Sequence, residues 1–159
     1  MDAKAIKELK PIRLVGARNG AFSGKIVVES GAAIRGLLAS AGPLSGDGGT
    51  IAASNVQLRY AKVWDWKVRF CPGGLDMLMD TASEVPLYKG RAMVTVWVTV
   101  HVPKDAKAGV YAGAVTVQAE GLAPVKVPVS LEVADWTLPD PQDYRTWTDL
   151  VQSSDTLAL

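Results

Sequence analysis

One cysteine and one histidine are all that this 159-residue chain offers to sulfur or imidazole chemistry. Cys71 alone excludes an internal disulfide framework and a paired-cysteine metal site, and a single thiol does not distinguish a reducing from an oxidising compartment. Beside Pro72 it fits a buried small apolar residue as well as a reactive thiol. Any Ser/His/Asp or Cys/His catalytic group would have to be built on His101, which shares a strand face with Trp97 and Thr99 and reads as a structural or surface residue. Neither sign of charge is in excess: 17 basic against 16 acidic side chains leave a formal net charge of +1, which provides no electrostatic footprint for nucleic acid. No apolar run reaches the roughly 18 residues of a membrane span, and Met1 to Lys10 mixes charges with apolar residues, unlike a signal peptide. Gly48-Gly49 and Gly73-Gly74 lack both the Gly-Lys-Ser/Thr ending and the following helix of a phosphate loop. The reading is a soluble domain with no metal site, no cofactor, no nucleic acid and no membrane among its partners.

Helical periodicity is scarce as well. Ala3, Ile6 and Leu9 recur at helical spacing, so the first ten residues read as a short helical or frayed terminus. What the chain has instead is alternation. Valine occupies every second position from Val94 to Val102, with Met93, Thr95, Trp97, Thr99 and His101 between, a period of two that defines a strand. Pro103 ends it, Lys104 to Ala108 is polar and small, Gly109 permits a bend, and Tyr111, Val115 and Val117 resume the alternation. The expectation is an antiparallel hairpin with Trp97 and Tyr111 close together on one face.

Ile12 to Val15 and Phe22 to Glu29 read as strands about an Asn19-Gly20 hairpin turn. Gly31 to Thr50, with six glycines, reads as irregular strand and loop, and Asn55 to Trp66 as a half-buried strand. Cys71 to Gly74 is turn chemistry, and Leu75 to Pro86 reads as a loop with one helical turn. Val125 to Val133 alternates again, as an edge strand to accommodate Pro128. Pro139 and Pro141 then forbid both helix and central strand. Short strands, frequent turns and hydrophobic residues at 48% specify an all-β fold, an antiparallel Ig-like β-sandwich over residues 1–141. Residues 142–159 hold Trp147, Leu150 and Val151 without length to pack on themselves. They read as a linker and the truncated start of a following domain, making few contacts with the sandwich.

Chemistry-bearing constellations are sparse. Asp65, Asp76, Asp80, Glu84, Asp135, Asp140 and Asp143 include enough carboxylates for glycoside hydrolysis, which needs a pair, but most lie in turns, where acids are common anyway. No catalytic residue is nominated. Trp64 and Trp66 flank Asp65 on the same side of a strand and could stack on a sugar ring, although a large aromatic on a sandwich strand is more often core. They are the one candidate ligand-binding pair.

Three stretches carry a resemblance. LVGARNGAFSGKIVV (Leu14 to Val28), WVTVHVPKDAKAGVYAGAVTV (Trp97 to Val117) and DWTLPDPQDY (Asp135 to Tyr144) resemble, in that order, the N-terminal β-sandwich domain of glycoside hydrolase family 123-like proteins. Val102-Pro103, Ala106, Gly109, Tyr111 and Gly113 carry most of it, and Ala17-Arg18-Asn19, Trp136, Leu138 and Pro139 narrow it. Gly20 and Lys25 depart from it, standing where such proteins often carry an acid and a glutamine. The resemblance implies a secreted or periplasmic protein in which the sandwich precedes a barrel that acts on N-acetylhexosamine glycans by substrate-assisted catalysis, with the acid pair on the barrel. It therefore implies that this chain is no enzyme by itself but an accessory domain that packs against and orients the downstream catalytic barrel of the same polypeptide, with a glycan as a second candidate partner. Two alternatives stay open, a carbohydrate-binding module using Trp64 and Trp66, and an Ig-like interaction domain without a sugar role.

Overall fold

The computed structural model describes residues 9–64 and 75–143. Ten strands follow in chain order: β1 (Ile12–Arg18), β2 (Ala21–Ser30), β3 (Leu38–Ala41), β4 (Leu44–Gly46), β5 (Gly49–Ile51), β6 (Val56–Trp64), β7 (Leu75–Met79), β8 (Ala92–His101), β9 (Gly109–Ala119) and β10 (Leu122–Thr137). Short 3₁₀ turns at Ala53–Asn55 and Pro141–Asp143 are the only helical pieces among the described residues. One sheet runs β1-β10-β9-β4-β5 with β3 also on β9, and the other runs β2-β8-β6-β7. The all-β sandwich read from the alternation is the observed architecture, with one parallel pair, β1 on β10, among antiparallel ones.

The valine row explains why the layers close. Val94, Val96, Val98 and Val100 all point inward and are almost fully buried, facing Tyr111 and Val115 of β9, Val129, Leu131 and Val133 of β10, and Leu14 of β1. Each buried valine contributes on the order of 1.5–2 kcal/mol relative to exposure. Tyr60 of β6 ties the two sheets together, its hydroxyl accepting from the backbone N–H of Ala39 in β3 at 2.8 Å. The Gly109-Tyr111-Gly113 pattern has a packing cause. The Tyr111 hydroxyl, on a side chain 1% exposed, donates to the carbonyl of Lys107 at 2.8 Å. Gly113 lies under β4, where a Cβ would stand 2.5 Å from Leu44 Cδ2 and 2.7 Å from the Pro43 carbonyl oxygen.

Four local expectations are corrected. β8 and β9 do not form a hairpin, because they belong to opposite sheets. The end of β8 is drawn toward the β1–β2 turn by two backbone bonds, Asn19 N–H to the Val102 carbonyl (3.0 Å) and Val102 N–H to the Gly20 carbonyl (2.8 Å). The segment after Val102 therefore crosses between the layers. Trp97 consequently lies on the outer face of its sheet, half-exposed, while Tyr111 is in the core, and the two do not share a face. The Asn19-Gly20 turn likewise links the sheets and closes no hairpin. A type I′ hairpin needs positive φ at both central residues, and only Asn19 has it (62°). Residues 75–79 form strand β7 on β6, since Leu75, Met77 and Met79 alternate with Asp76, Leu78 and Asp80. Finally, β10 is interior to its sheet. Pro128 is accommodated because the ladder to β1 starts only at Val129, which leaves β10 an open edge at the proline.

Candidate functional site

Three segments meet where the chain leaves the sandwich: the β1–β2 turn, the end of β8 and the end of β10. The first step is a bulge. Ala17 stands opposite Ala134 but Arg18 stands opposite Thr137, so Asp135 and Trp136 are extra residues in β10 that turn its last stretch. The Arg18 guanidinium goes with them, donating to Asp135 Oδ1 at 3.1 Å, while its buried Nε has no partner. Trp136 is left 56% exposed.

Asn19 fastens the departing chain. It adopts the left-handed region that asparagine tolerates better than most residues, and this turns its side chain toward the exit. Its amide Nδ2 donates to the Leu138 carbonyl at 3.1 Å and to Asp140 Oδ1 at 2.8 Å, while the Leu138 N–H donates to the Arg18 carbonyl at 2.9 Å. Lys104, just past β8, donates from Nζ to Asp140 Oδ2 at 2.6 Å. Lys104 first and Asn19 second hold the Asp140 carboxyl below the ordinary carboxylate range, and the same bond to Asp140 raises the Lys104 ammonium. A Cβ at Gly20 would meet the Phe22 ring at 2.7 Å and Leu138 Cδ1 at 2.8 Å, so a larger residue there displaces these side-chain ends. Pro139 and Pro141 stiffen the chain beyond. The arrangement is a latch that fastens Leu138 and Asp140 to the β1–β2 turn and to Lys104.

The sites expected from the alternation fare differently. Trp64 ends β6, its backbone paired with Leu75, but its side chain lies outside the described residues, as do Trp66 and Cys71 entirely. Trp147 and Leu150, on which the expectation about the tail rests, also lie outside them. His101 is exposed at the end of β8. Several described acids are engaged by cations at the surface: Glu29 by Arg91, Glu84 by Arg35, Asp80 by Arg59, Asp135 by Arg18 and Asp140 by Lys104. Among the described residues an open depression is lined by Leu9, Lys10, Pro11 and Arg13. The outer face of the β2-β8-β6-β7 sheet carries one aromatic platform that sequence reasoning did not single out, Trp97 between Lys25 and Arg59, with the Lys25 ammonium 5.9 Å from the ring centre. The latch was also missed, although two of its signals are in the sequence: an asparagine at a turn, and an acid between two prolines.

The described residues form a β-sandwich module fastened at the end of its last strand. The chain belongs to the glycoside hydrolase 123 N-terminal domain family, whose model matches residues 3–119. Among solved structures, a family 123 glycoside hydrolase from Clostridium perfringens, described for its glycolipid glycan hydrolysis, superposes with a TM-score of 0.63 at 18% identity over 82% of this chain. This chain spans 24% of the length of that enzyme. The PapD-like domain 7 of human CEP192 (TM-score 0.44, 12% identity, 80% of this chain and 84% of that one) and the CupB6 tip adhesin of Pseudomonas aeruginosa (0.39, 9%, 83% and 42%) are more distant matches. No curated protein matches the chain.

Proposed function

We propose that this sandwich is non-catalytic and that it packs against and orients a catalytic barrel that comes after it in the same polypeptide and acts on N-acetylhexosamine glycans, the sandwich ending at about Pro141. The observation that carries the proposal is the latch: Asn19, Lys104 and Asp140 hold the departing strand with side-chain bonds beyond the β10 ladder, which is what a domain that sets the direction of its successor requires. Beside the exit, Trp136, Val15 and Val110 are each more than half exposed, and Val15 and Val110 flank Glu132 on one sheet face. Apolar surface of this kind suits an intramolecular domain contact. Family membership supports the same reading. Hydrolysis needs two carboxyl groups held at fixed separation, or one acid with the substrate's own acetamido group, on a rigid concave site, whereas Glu29, Asp80, Glu84, Asp135 and Asp140 are each paired with a cation at the surface.

The test is to incubate the purified 159-residue chain with chromogenic N-acetylgalactosaminide and N-acetylglucosaminide, and in parallel to titrate N-acetylhexosamines while following tryptophan fluorescence. No turnover and no saturable change are expected. Turnover abolished by replacing an acid within residues 1–141 would refute the proposal, and a saturable change lost in Trp64→Ala would favour the carbohydrate-binding reading of Trp64 and Trp66.

A further inference from the structure

Among the described residues, strand β2 is the longest edge. It runs ten residues, Ala21–Ser30, and pairs with β8 on one side in continuous register without a bulge. Among the described residues no strand pairs with its other side. The other described edges are blunted: β1 is preceded by Pro11 and ends against the bulge of β10, β3 is four residues long, β5 three and β7 five. A long edge with free N–H and C=O groups is a template for another strand unless charge or geometry prevents it.

The single central charge, Lys25, would ordinarily be such a guard. Here its position relative to Glu29 converts it into a match. Lys25, Val27 and Glu29 share the outer face of β2, with Val27 midway and 55% exposed. If two copies of β2 pair antiparallel about a two-fold axis at Val27, Lys25 of each copy falls opposite Glu29 of the other, and the two Val27 side chains meet between them. On the inner face Ile26 falls opposite Val28, and both are only half-buried at the flank of the core. Neighbouring registers lose this. Centring on Lys25 or on Glu29 sets like charges against each other, and centring on Ile26 or Val28 leaves both charges without an opposite partner. The present contacts of the two charges are surface ones that can yield: Lys25 lies over Trp97, and Glu29 meets Arg91 at 3.3 Å with both side chains at least half exposed.

We propose that β2 is a homodimerisation edge, joining the four-stranded sheets of two copies into one continuous sheet through the Val27-centred register. A single strand pair is a small interface, so the association is concentration-dependent.

Sedimentation velocity on the 159-residue chain tests this. The wild-type chain shifts from its 16.9 kDa monomer to twice that mass as concentration rises toward about 1 mM. Lys25→Glu places two acids opposite each other and Glu29→Lys two cations, so each variant alone stays monomeric at concentrations where wild type is dimeric, with unchanged far-UV circular dichroism. Mixing the two variants restores the dimer, because every charge again faces its opposite; a misfolded chain would not recover in this way. A wild-type chain that remains monomeric throughout, a dimer indifferent to either substitution, or single variants that stay monomeric when mixed would each overturn the proposal.

Discussion

Replacing Asn19 should separate the two jobs its side chain and backbone perform. The residue sits at φ 62° and its amide donates to the Leu138 carbonyl and to Asp140. Asn19→Gly keeps the backbone unstrained but removes both donated bonds, each worth roughly 0.5–1.5 kcal/mol net, so a loss of about 1–3 kcal/mol is expected. Asn19→Ala removes the same bonds and also forces a Cβ into the left-handed region, which adds about 1 kcal/mol or more. Alanine should therefore be the worse of the two, an order opposite to that seen in a helix or strand interior, where glycine is worse. Urea unfolding followed by tryptophan fluorescence gives the comparison, with midpoints moving at constant slope. Hydrogen exchange at the Leu138 amide, which donates to the Arg18 carbonyl, should accelerate in both variants more than exchange in the core of β8. Glycine and alanine variants of equal stability, or Leu138 protection unchanged in both, would refute the account of the latch.

Asp140 should titrate below the ordinary carboxylate range, because Lys104 and then Asn19 hydrogen-bond its charged form. Its share of the latch is thus complete above the unfolded carboxyl value and lost as pH falls through the lowered one. The raised Lys104 keeps its share below the ordinary lysine value and loses it only as pH rises through the raised one, so the latch is unchanged across neutral pH. In an NMR titration Lys104→Ala should move the Asp140 midpoint upward, and an unmoved midpoint would contradict the assignment. Gly113→Ala should cost about 1–3 kcal/mol by pressing a methyl group on Leu44 and the Pro43 carbonyl; a midpoint in urea equal to wild type would show that β4 yields freely.

Alternation made the strands legible because a period of two records which face of a strand is buried, and the valine row of β8 records it at every second residue. It carries no information on pairing. The rows of β8 and β9 would look the same in a hairpin or across a sandwich, and here the backbone bonds between Val102 and the Asn19-Gly20 turn decide in favour of the crossing. Pro128 misled for a related reason. A proline reports that its own N–H side is open, and β10 meets that condition one residue before β1 begins to pair while remaining interior elsewhere. β7 was obscured by Leu78, an apolar residue that interrupts the alternation of residues 75–80 in the sequence. The latch joins Arg18, Asn19, Lys104, Asp135 and Asp140 from separate segments, and only the bulge at Ala17/Arg18 and the crossing after β8 bring them together.

We propose that this latch sets the orientation of a following domain. Small-angle X-ray scattering of the longer polypeptide, wild type against an Asn19→Ala, Asp140→Ala double variant, tests it most directly. The account predicts one compact arrangement for wild type, and for the variant a larger maximum dimension together with a lower kcat/KM on an N-acetylhexosaminide. Superimposable scattering and equal kcat/KM for the two proteins would contradict it.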